Sequence, residues 1–357
     1  MTGPVRKILA GSLLALGSLI GCDGDSDGPA VVAYVSADRA IAIPVLEEFT
    51  RRTGIPVRPL FDTEATKTTG LANRIRRERS RPRADVFWSS EPFAVEQLAS
   101  EGLLAPAVHP LLESHPQPWR RPDDRWFAFG GRARVIAFDP ERIAVEDRPR
   151  FWTDLVDTRW KGRIAMADPR FGTTRGHLGA MSVVGTLGPS GITFDDWIEG
   201  LARNQVRLMP GGNAATVDAV VRGEVLLGLT DSDDVRAWRR RGGTVGVIVP
   251  RHHPEDVPGG GTMLIPNAAG VVQGAAHPEL AAELVAFLAS AQVEKMLHES
   301  PSGNLPIAHP EILKVEDHDE ETILAPDPLV VSIPEVAGGM DRAVDSAMDR
   351  ILERDQP

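Results

Sequence analysis

The chain has 357 residues, of which 50 are Asp or Glu and 39 are Lys or Arg, so its formal net charge at pH 7 is -11. An acidic surface argues against nucleic acid as a partner, because the phosphate backbone is itself negative. The single cysteine, Cys22, excludes an internal disulfide, and 357 residues exceed what one hydrophobic core usually serves. We therefore predict two lobes without disulfide bonds.

The first element is a leader. Two basic residues precede an apolar run over residues 8–20. The end of the run overlaps the sequence LIGC at residues 19–22, which has the pattern of a lipobox: cleavage there leaves an acylated cysteine as the new N-terminus. The run is well short of the roughly 20 residues that span a bilayer. We predict a lipoprotein signal peptide over residues 1–21, a lipid anchor (palmitate) on Cys22 and a flexible tether over residues 22–29. The mature protein is then expected in the periplasm or at the cell surface.

Short β-rich runs alternate with amphipathic stretches from residue 31 onward. The first strand is predicted over residues 31–35, and the first helix, over residues 41–52, stops at Gly54 and places Pro44 in its first turn or at a kink. Pro278 opens a late helix with a strong apolar face. The alternation predicts an α/β fold with mixed, mostly parallel sheets. Further strands are predicted over residues 57–60, 86–88, 135–138, 164–167, 206–209, 225–229 and 245–249, and further helices over residues 217–222 and 340–353.

Four polar segments directly follow predicted strands, at the edge where α/β sheets bind their ligands. Ser36 and Asp38 can also be explained as caps of the next helix, and Ser90 with Glu91 as a helix start. Because the segments share this placement, we expect their side chains to meet at one site. The four segments are Ser36-Ala37-Asp38, Ser89-Ser90-Glu91, residues 168–174 and residues 230–234.

One of these segments has the chemistry of an anion site. Gly172 permits close backbone approach, Thr173 and Thr174 supply hydroxyls, and two arginines lie nearby, although the lysine of a P-loop is missing. Asn213, which follows two glycines, can cap a helix or offer its amide to a ligand. Arg132 and Arg134 flank a strand start and can equally be surface charge.

The segment over residues 230–234 is acidic instead. Asp231, Asp233 and Asp234 place three carboxylates around Ser232, and hard cations such as calcium, magnesium or ferric iron prefer such oxygen ligands. The alternative is a solvated helix start, where acidic residues complement the helix dipole.

Signals of catalysis are weak. The chain lacks G-x-S-x-G, H-E-x-x-H and G-x-G-x-x-G motifs, and no histidine is placed to activate Ser232. His252, His253 and Asp256 could be drawn as a metal site, but prolines in the run favour an exposed loop. We predict that the protein is not an enzyme.

Several segments between residues 31 and 307 resemble, in order and spacing, the ferric-iron type of ABC-transporter substrate-binding proteins, extracellular solute-binding protein family 1. The resemblance implies a two-lobed periplasmic-binding-protein type 2 fold with a hinge of crossing strands near residues 129–134 and 261–265. It implies lobe 1 over residues 30–130, lobe 2 over residues 131–260, a return to lobe 1 over residues 261–313 and a C-terminal helical extension over residues 314–357. The matching segments are residues 62–71, 84–92, 131–135, 160–163, 171–174, 259–262 and 265–267.

The chain departs from the family at the iron ligands. Iron-binding members use two adjacent tyrosines where this chain has Asp233 and Asp234, and the only tyrosine here is the distant Tyr34. Phenolate coordination is thus excluded, whereas iron itself is not. The family's histidine after strand one and its acid after the 86–88 strand are matched here by the regions of Ser36-Ala37-Asp38 and Ser90-Glu91. Its anion-holding segments are matched by Gly172, Thr173, Thr174, Asn213 and Asp231.

Two ligand classes stay open. One is a ferric ion or other hard metal held by Asp233, Asp234 and Glu91, with a bridging synergistic anion; no other cofactor is expected. The other is a metal-free phosphonate or organophosphate held by Thr173, Thr174, Asn213 and the arginines, with the carboxylates on an amine or hydroxyl of the solute. We predict a monomeric lipoprotein that binds its solute between two lobes and delivers it to an ABC permease and its ATPase. The alternative role is a ligand sensor.

Overall fold

The structure is a computed structural model, and it describes residues 28–62, 69–313 and 323–352. The predicted signal peptide, the lipid anchor on Cys22 and most of the tether lie outside the described residues. So does part of the predicted C-terminal extension. Within the described residues, no helix is both long and apolar enough to cross a membrane.

The described strands form one ten-stranded mixed sheet in the order β2-β1-β3-β10-β5-β8-β6-β7, with β4 beside β10 and β9 beside β5. The outer strands pair in parallel, whereas every pair that contains β5 or β10 is antiparallel. The strands are β1 (Val31–Ser36), β2 (Val57–Phe61), β3 (Val86–Ser89), β4 (Leu104–Ala105), β5 (Phe127–Phe138), β6 (Ile164–Ala167), β7 (Arg207–Met209), β8 (Leu227–Asp231), β9 (Gly246–Ile248) and β10 (Leu264–Val272).

Strand β5 joins two halves of the sheet. Its residues 127–133 pair with β10, and its residues 134–138 pair with β8. We call β1 to β4, β10 and residues 127–133 the first half, and β6 to β9 with residues 134–138 the second half. The prediction of a strand over residues 135–138 found only the end of β5. The predicted strand over residues 225–229 lies two residues too early, so Asp231 is the last residue of β8 and not part of the following loop.

Helices cover both faces of each half. Helix α1 contains Pro44 beyond its first turn and ends at Gly54, whose φ of 73° suits a left-handed cap. Helix α10 begins earlier than the predicted terminal helix. The helices are α1 (Arg39–Thr53), α2 (Thr69–Arg77), α3 (Pro92–Ser100), α4 (Gly172–Val183), α5 (Phe194–Arg203), α6 (Gly212–Val221), α7 (Ser232–Arg239), α8 (Pro278–Leu288), α9 (Ala291–Glu299) and α10 (Ile333–Leu352).

Alternation along the strands fills separate cores on the two faces. In β1, Val31 and Val35 pack with α1 and α8, whereas Tyr34 packs with α2 and α3. In the second half, α4, α5 and α10 cover one face and α6 covers the other. A further apolar cluster joins the halves through Phe93 of α3, Ala180 of α4 and Met340 of α10. The two halves therefore have their own cores and share one contact region, which leaves a cleft between them.

Candidate functional site

A cleft of about 580 Å³ lies between the two halves, beside the carboxyl ends of β1, β3, β6 and β8. Asp38, Ser90 and Glu91 line it from the first half, and Asp233 and Asp234 are among the residues that line it from the second. A second groove, of about 690 Å³ between α2, α3 and α10, contains none of the predicted site residues. The segments that follow separate strands thus meet at one cleft.

The predicted site residues fall into two groups. Four of them lie behind the cleft wall, where they hold the backbone or a neighbour. Ser36 Oγ donates to Asp62 (2.5 Å), Ser89 Oγ accepts from the amide of Glu91 (3.2 Å), and Ser232 Oγ accepts from the amide of Ala133 (3.1 Å); Arg134 is the fourth. The residues that line the cleft are Asp38, Ser90, Glu91, Gly172, Thr173, Thr174, Asn213, Asp231, Asp233 and Asp234.

The two arginines of β5 are buried, so the surface-charge alternative for them is wrong. Arg132 lines the cleft, where it donates to the Ser90 carbonyl (2.5 Å) and approaches the carboxylate of Asp233 (3.7 Å). Arg134, with no exposed surface, pairs with Asp231 at 2.7 Å. Arg132 and Arg134 are two residues apart on one strand, so their side chains lie on the same face of the sheet. This spacing was already visible in the sequence. Which of them reaches the cleft is decided by the fold.

Asp231 is the most strongly held carboxylate of the site. It lies opposite Arg134 in the β5–β8 register and accepts a hydrogen bond from Thr173 Oγ1 (2.6 Å). Burial alone would raise its pKa, but Arg134 and Arg132, with the Thr173 hydroxyl, hold the pKa of Asp231 below its ordinary value. Asp231 is therefore an anion inside the protein.

Asp233 and Asp234 lie in the first turn of α7 and are half-buried at the cleft. One carboxylate oxygen from each of Asp231, Asp233 and Asp234 lies within 4.8 Å of the other two. Enclosure in the cleft, together with the charges of Asp233 and Asp231, raises the pKa of Asp234 well above its ordinary value. Three carboxylates this close need a cation, an arginine or a proton. Arg134 and Arg132 supply part of that positive charge, to Asp231 and Asp233.

The side chain of Glu91 caps the N-terminus of α3. Its carboxylate accepts hydrogen bonds from the amides of Phe93 (2.6 Å) and Ala94 (3.2 Å), which caps α3. Burial raises the pKa of Glu91, and the two capping amides oppose that effect. The helix-start interpretation thus describes this side chain. Asp38 occupies the N-cap position of α1 but makes no capping hydrogen bond with its side chain.

The exposed-loop expectation is wrong for His252. Its ring is buried against His177, with the two Nε2 atoms 3.0 Å apart, and Nδ1 donates to the Gly261 carbonyl (2.8 Å). That bond leaves Nε2 of His252 as the acceptor for the His177 N–H. Burial lowers the pKa of His252 to about 3 and the pKa of His177 well below its ordinary value. The pair is neutral and structural.

Similarity to known proteins identifies the family of this chain. The sequence profile of the family described as bacterial extracellular solute-binding protein matches residues 81–324. The chain belongs to this family. This solute-binding protein is 29% identical over 260 residues to iron uptake protein A1 of Synechocystis sp., which covers 70% of this chain and 68% of that protein. It is 27% identical over 274 residues to the major ferric iron-binding protein of Neisseria meningitidis, with 75% and 78% covered.

Solved structures agree with the fold. Iron-bound HitA from Pseudomonas aeruginosa superposes with a TM-score of 0.73 at 24% identity, over 90% of this chain and 99% of that chain. The two-lobed α/β fold and the resemblance to ferric-iron type substrate-binding proteins are thereby confirmed. The relatives named here are binding and uptake proteins. The solute-binding protein keeps their fold while presenting Asp233 and Asp234 at its cleft.

Proposed function

We propose that this solute-binding protein is the extracytoplasmic subunit of an ABC importer and that its cargo is a ferric ion held by carboxylates in the cleft. The family and the relatives named for iron support this role. The observation that carries the cargo assignment is the position of Asp233 and Asp234 at the cleft beside Asp231, with one carboxylate oxygen from each of the three within 4.8 Å of the others. A small, highly charged cation prefers such oxygen ligands.

The charge of the cleft also favours a cation. Among the described residues that line it, Arg132 is the one basic side chain, against six carboxyl groups. Asp168 pairs with Arg170, Asp231 pairs with Arg134, and Asp233 lies 3.7 Å from Arg132. We assign the cargo to Asp233 and Asp234 on one side and Asp38 on the other. The six carboxyl groups belong to Asp38, Glu91, Asp168, Asp231, Asp233 and Asp234.

The mechanism that we propose is closure of the two halves, acting as lobes. Asp38 follows β1 of the first half, whereas Asp233 and Asp234 follow β8 of the second. A cation that is bound by both sides gains its full set of contacts only when the halves are together, so it shifts the population toward the closed form. The permease would then recognise the closed form. The lipid on Cys22 would keep the protein at the membrane.

The metal-free anion receptor has less support. That alternative needs Thr173 and Asn213 for the solute, but both side chains already bind the carboxylate of Asp231, at 2.6 and 2.9 Å. A phosphonate would have to displace a buried carboxylate that Arg134 also holds. The cost of unpairing that ion pair disfavours such an exchange.

The test is a thermal-shift panel on the purified protein with ferric iron, divalent metals, inorganic phosphate, an aminoalkylphosphonate and a sugar phosphate. A ligand at about 100 times its dissociation constant adds roughly 2.7 kcal/mol to the free energy of unfolding. We expect ferric iron to raise the melting temperature and a strong chelator to reverse the effect. Stabilisation by the phosphonate or sugar phosphate in chelator, without any effect of metal, would overturn the cargo assignment.

A pair of double variants then locates the site. Asp233→Ala with Asp234→Ala is expected to abolish the stabilisation by ferric iron while the protein still folds. The matched control is Asp345→Ala with Asp349→Ala, which removes two exposed carboxylates from α10 and changes the net charge equally. We expect the control to keep the full response to iron. An unchanged iron titration of the cleft variant would show that the metal binds elsewhere.

A further inference from the structure

Four side chains from three elements converge on the carboxylate of Asp231. Arg134 Nη1 lies 2.7 Å from Oδ1, and Thr173 Oγ1 lies 2.6 Å from Oδ2. Asn213 Nδ2 and Arg132 Nε lie 2.9 and 3.3 Å from Oδ2. Two guanidinium groups, a hydroxyl and an amide are donors with which proteins bind a free oxyanion. Here the anion that they hold belongs to the chain.

The position of these donors adds further positive potential. Thr173 is the second residue of α4 and Asn213 is the second residue of α6. The N-terminus of a helix carries a partial positive charge and favours an anion beside it. Both helix ends therefore act on the same carboxylate as the two arginines of β5.

Arg134 has more donors than Asp231 uses. It has no exposed surface, yet its Nε and Nη2 atoms have no hydrogen-bond partner among the described residues. Buried donors are normally paired. The unpaired atoms indicate that this guanidinium suits an oxyanion with more acceptor sites than the side chain of Asp231 offers.

We infer that Asp231 is a built-in anion: its carboxylate fills a pocket that would otherwise take a free oxyanion, such as carbonate or phosphate. Asp231 occupies the pocket whichever solute the protein carries. The consequence for transport rests on the proposed function: a protein whose anion pocket is already filled binds its cation without an anion from solution. Asp231 is thus a positioning residue that decides the anion requirement of the site.

The first experiment measures anion binding alone, in chelator and without metal. Asp231→Ala empties the pocket and leaves Arg132 and Arg134 without this carboxylate, which lowers stability. We expect formate, bicarbonate or phosphate to raise the melting temperature of Asp231→Ala by several degrees, with chloride at equal ionic strength as the reference. The wild type should shift by less than about 1 °C. Asp233→Ala, which leaves the pocket filled, should behave like the wild type.

The second experiment measures the affinity for ferric iron by equilibrium dialysis in carbonate-free buffer, with and without added bicarbonate. The wild type is expected to bind equally in both. Asp231→Ala is expected to bind at least about tenfold more weakly without bicarbonate and to recover when it is added. A role in folding alone would not produce this dependence on the anion.

The outcomes separate the two ideas. If the wild type binds no iron while Asp231→Ala gains anion binding, the proposed cargo fails and the built-in anion stands. If Asp231→Ala gains no anion binding, or if wild-type iron binding needs bicarbonate, the built-in anion is wrong. Should Asp231→Ala unfold, its refolding in formate but not in chloride supports the inference, and failure in both refutes it. Asp231→Asn keeps the shape of the side chain and is expected to gain no anion binding.

Discussion

Gly179 of α4 packs closely against the C-terminal helix α10, and we choose this contact for a test. A β-carbon added at Gly179 would lie 2.6 Å from Met340 Cβ, 3.0 Å from Val336 Cγ1 and 3.1 Å from Met340 Cα. Carbon atoms normally stay about 3.5–4 Å apart. In Gly179→Ala, therefore, α4 and α10 must separate by roughly 1 Å, since a backbone atom cannot turn away.

The expected loss follows from two opposing effects. Overpacking of this kind costs about 1–3 kcal/mol, whereas alanine in place of glycine within a helix returns about 1 kcal/mol. The net expectation for Gly179→Ala is a destabilisation of up to about 2 kcal/mol. Gly338 on the exposed face of α10 provides the control, because a β-carbon there would meet nothing within 4 Å. Gly338→Ala should therefore stabilise by up to about 1 kcal/mol.

The assay is urea unfolding of both variants and the wild type, followed by circular dichroism and tryptophan fluorescence. The same chemical change should move the midpoint down at Gly179 and up at Gly338, with an unchanged dependence on urea. If Gly179→Ala were as stable as Gly338→Ala, the close packing of α10 on α4 would be refuted.

The remaining predictions concern buried charge. Burial lowers the pKa of His252 from 6.5 to about 3 and that of His115 to about 4, so between pH 6.5 and about 4 only the unfolded chain takes up these protons. The contribution of each histidine to stability is therefore complete above pH 6.5 and should fall over that window by up to about 1.4 kcal/mol per pH unit. The measurement is urea unfolding of the wild type and His252→Gln at several pH values: the wild type should lose more stability on acidification than the variant, and equal pH slopes would contradict the reasoning. Arg134→Met should cost about 3–5 kcal/mol, because it strands the buried charge of Asp231. Arg150→Met breaks an exposed ion pair and should cost less than about 1 kcal/mol; equal losses in calorimetry would show that Arg134 is not paired as described.

The local elements were largely predictable. β1 and α1 lie within two residues of their predicted bounds and α8 begins at the predicted Pro278, because apolar spacing, the stop at Gly54 and proline at a helix start are local signals. The apolar pattern missed the first part of β5, since two glycines and two arginines interrupt it; only the family resemblance implied a hinge strand near residues 129–134. It is a strand because β10 pairs with it on one half of the sheet and β8 on the other.

Many of the residues that line the cleft were also predictable, but the hydrogen-bond partners of each side chain were not. Asp38, Ser90, Thr173 and Asp233 meet because each follows a strand whose carboxyl end faces the cleft. Whether those side chains bind ligand is still a prediction. Glu91 turned out to cap α3, an alternative that its position before Pro92 already offered.

The sequence by itself determined the family, the alternation of strands and helices and the position of Asp233 and Asp234 directly after a strand, because these depend on residue types and spacing. The tertiary structure alone decided that Arg134 and Asp231 form a buried pair and that His252 packs on His177. Those partners are far apart in the chain, and no local pattern encodes which distant group a side chain meets. A buried charge takes its role from the groups that neutralise it, and those are known only once the strands have paired.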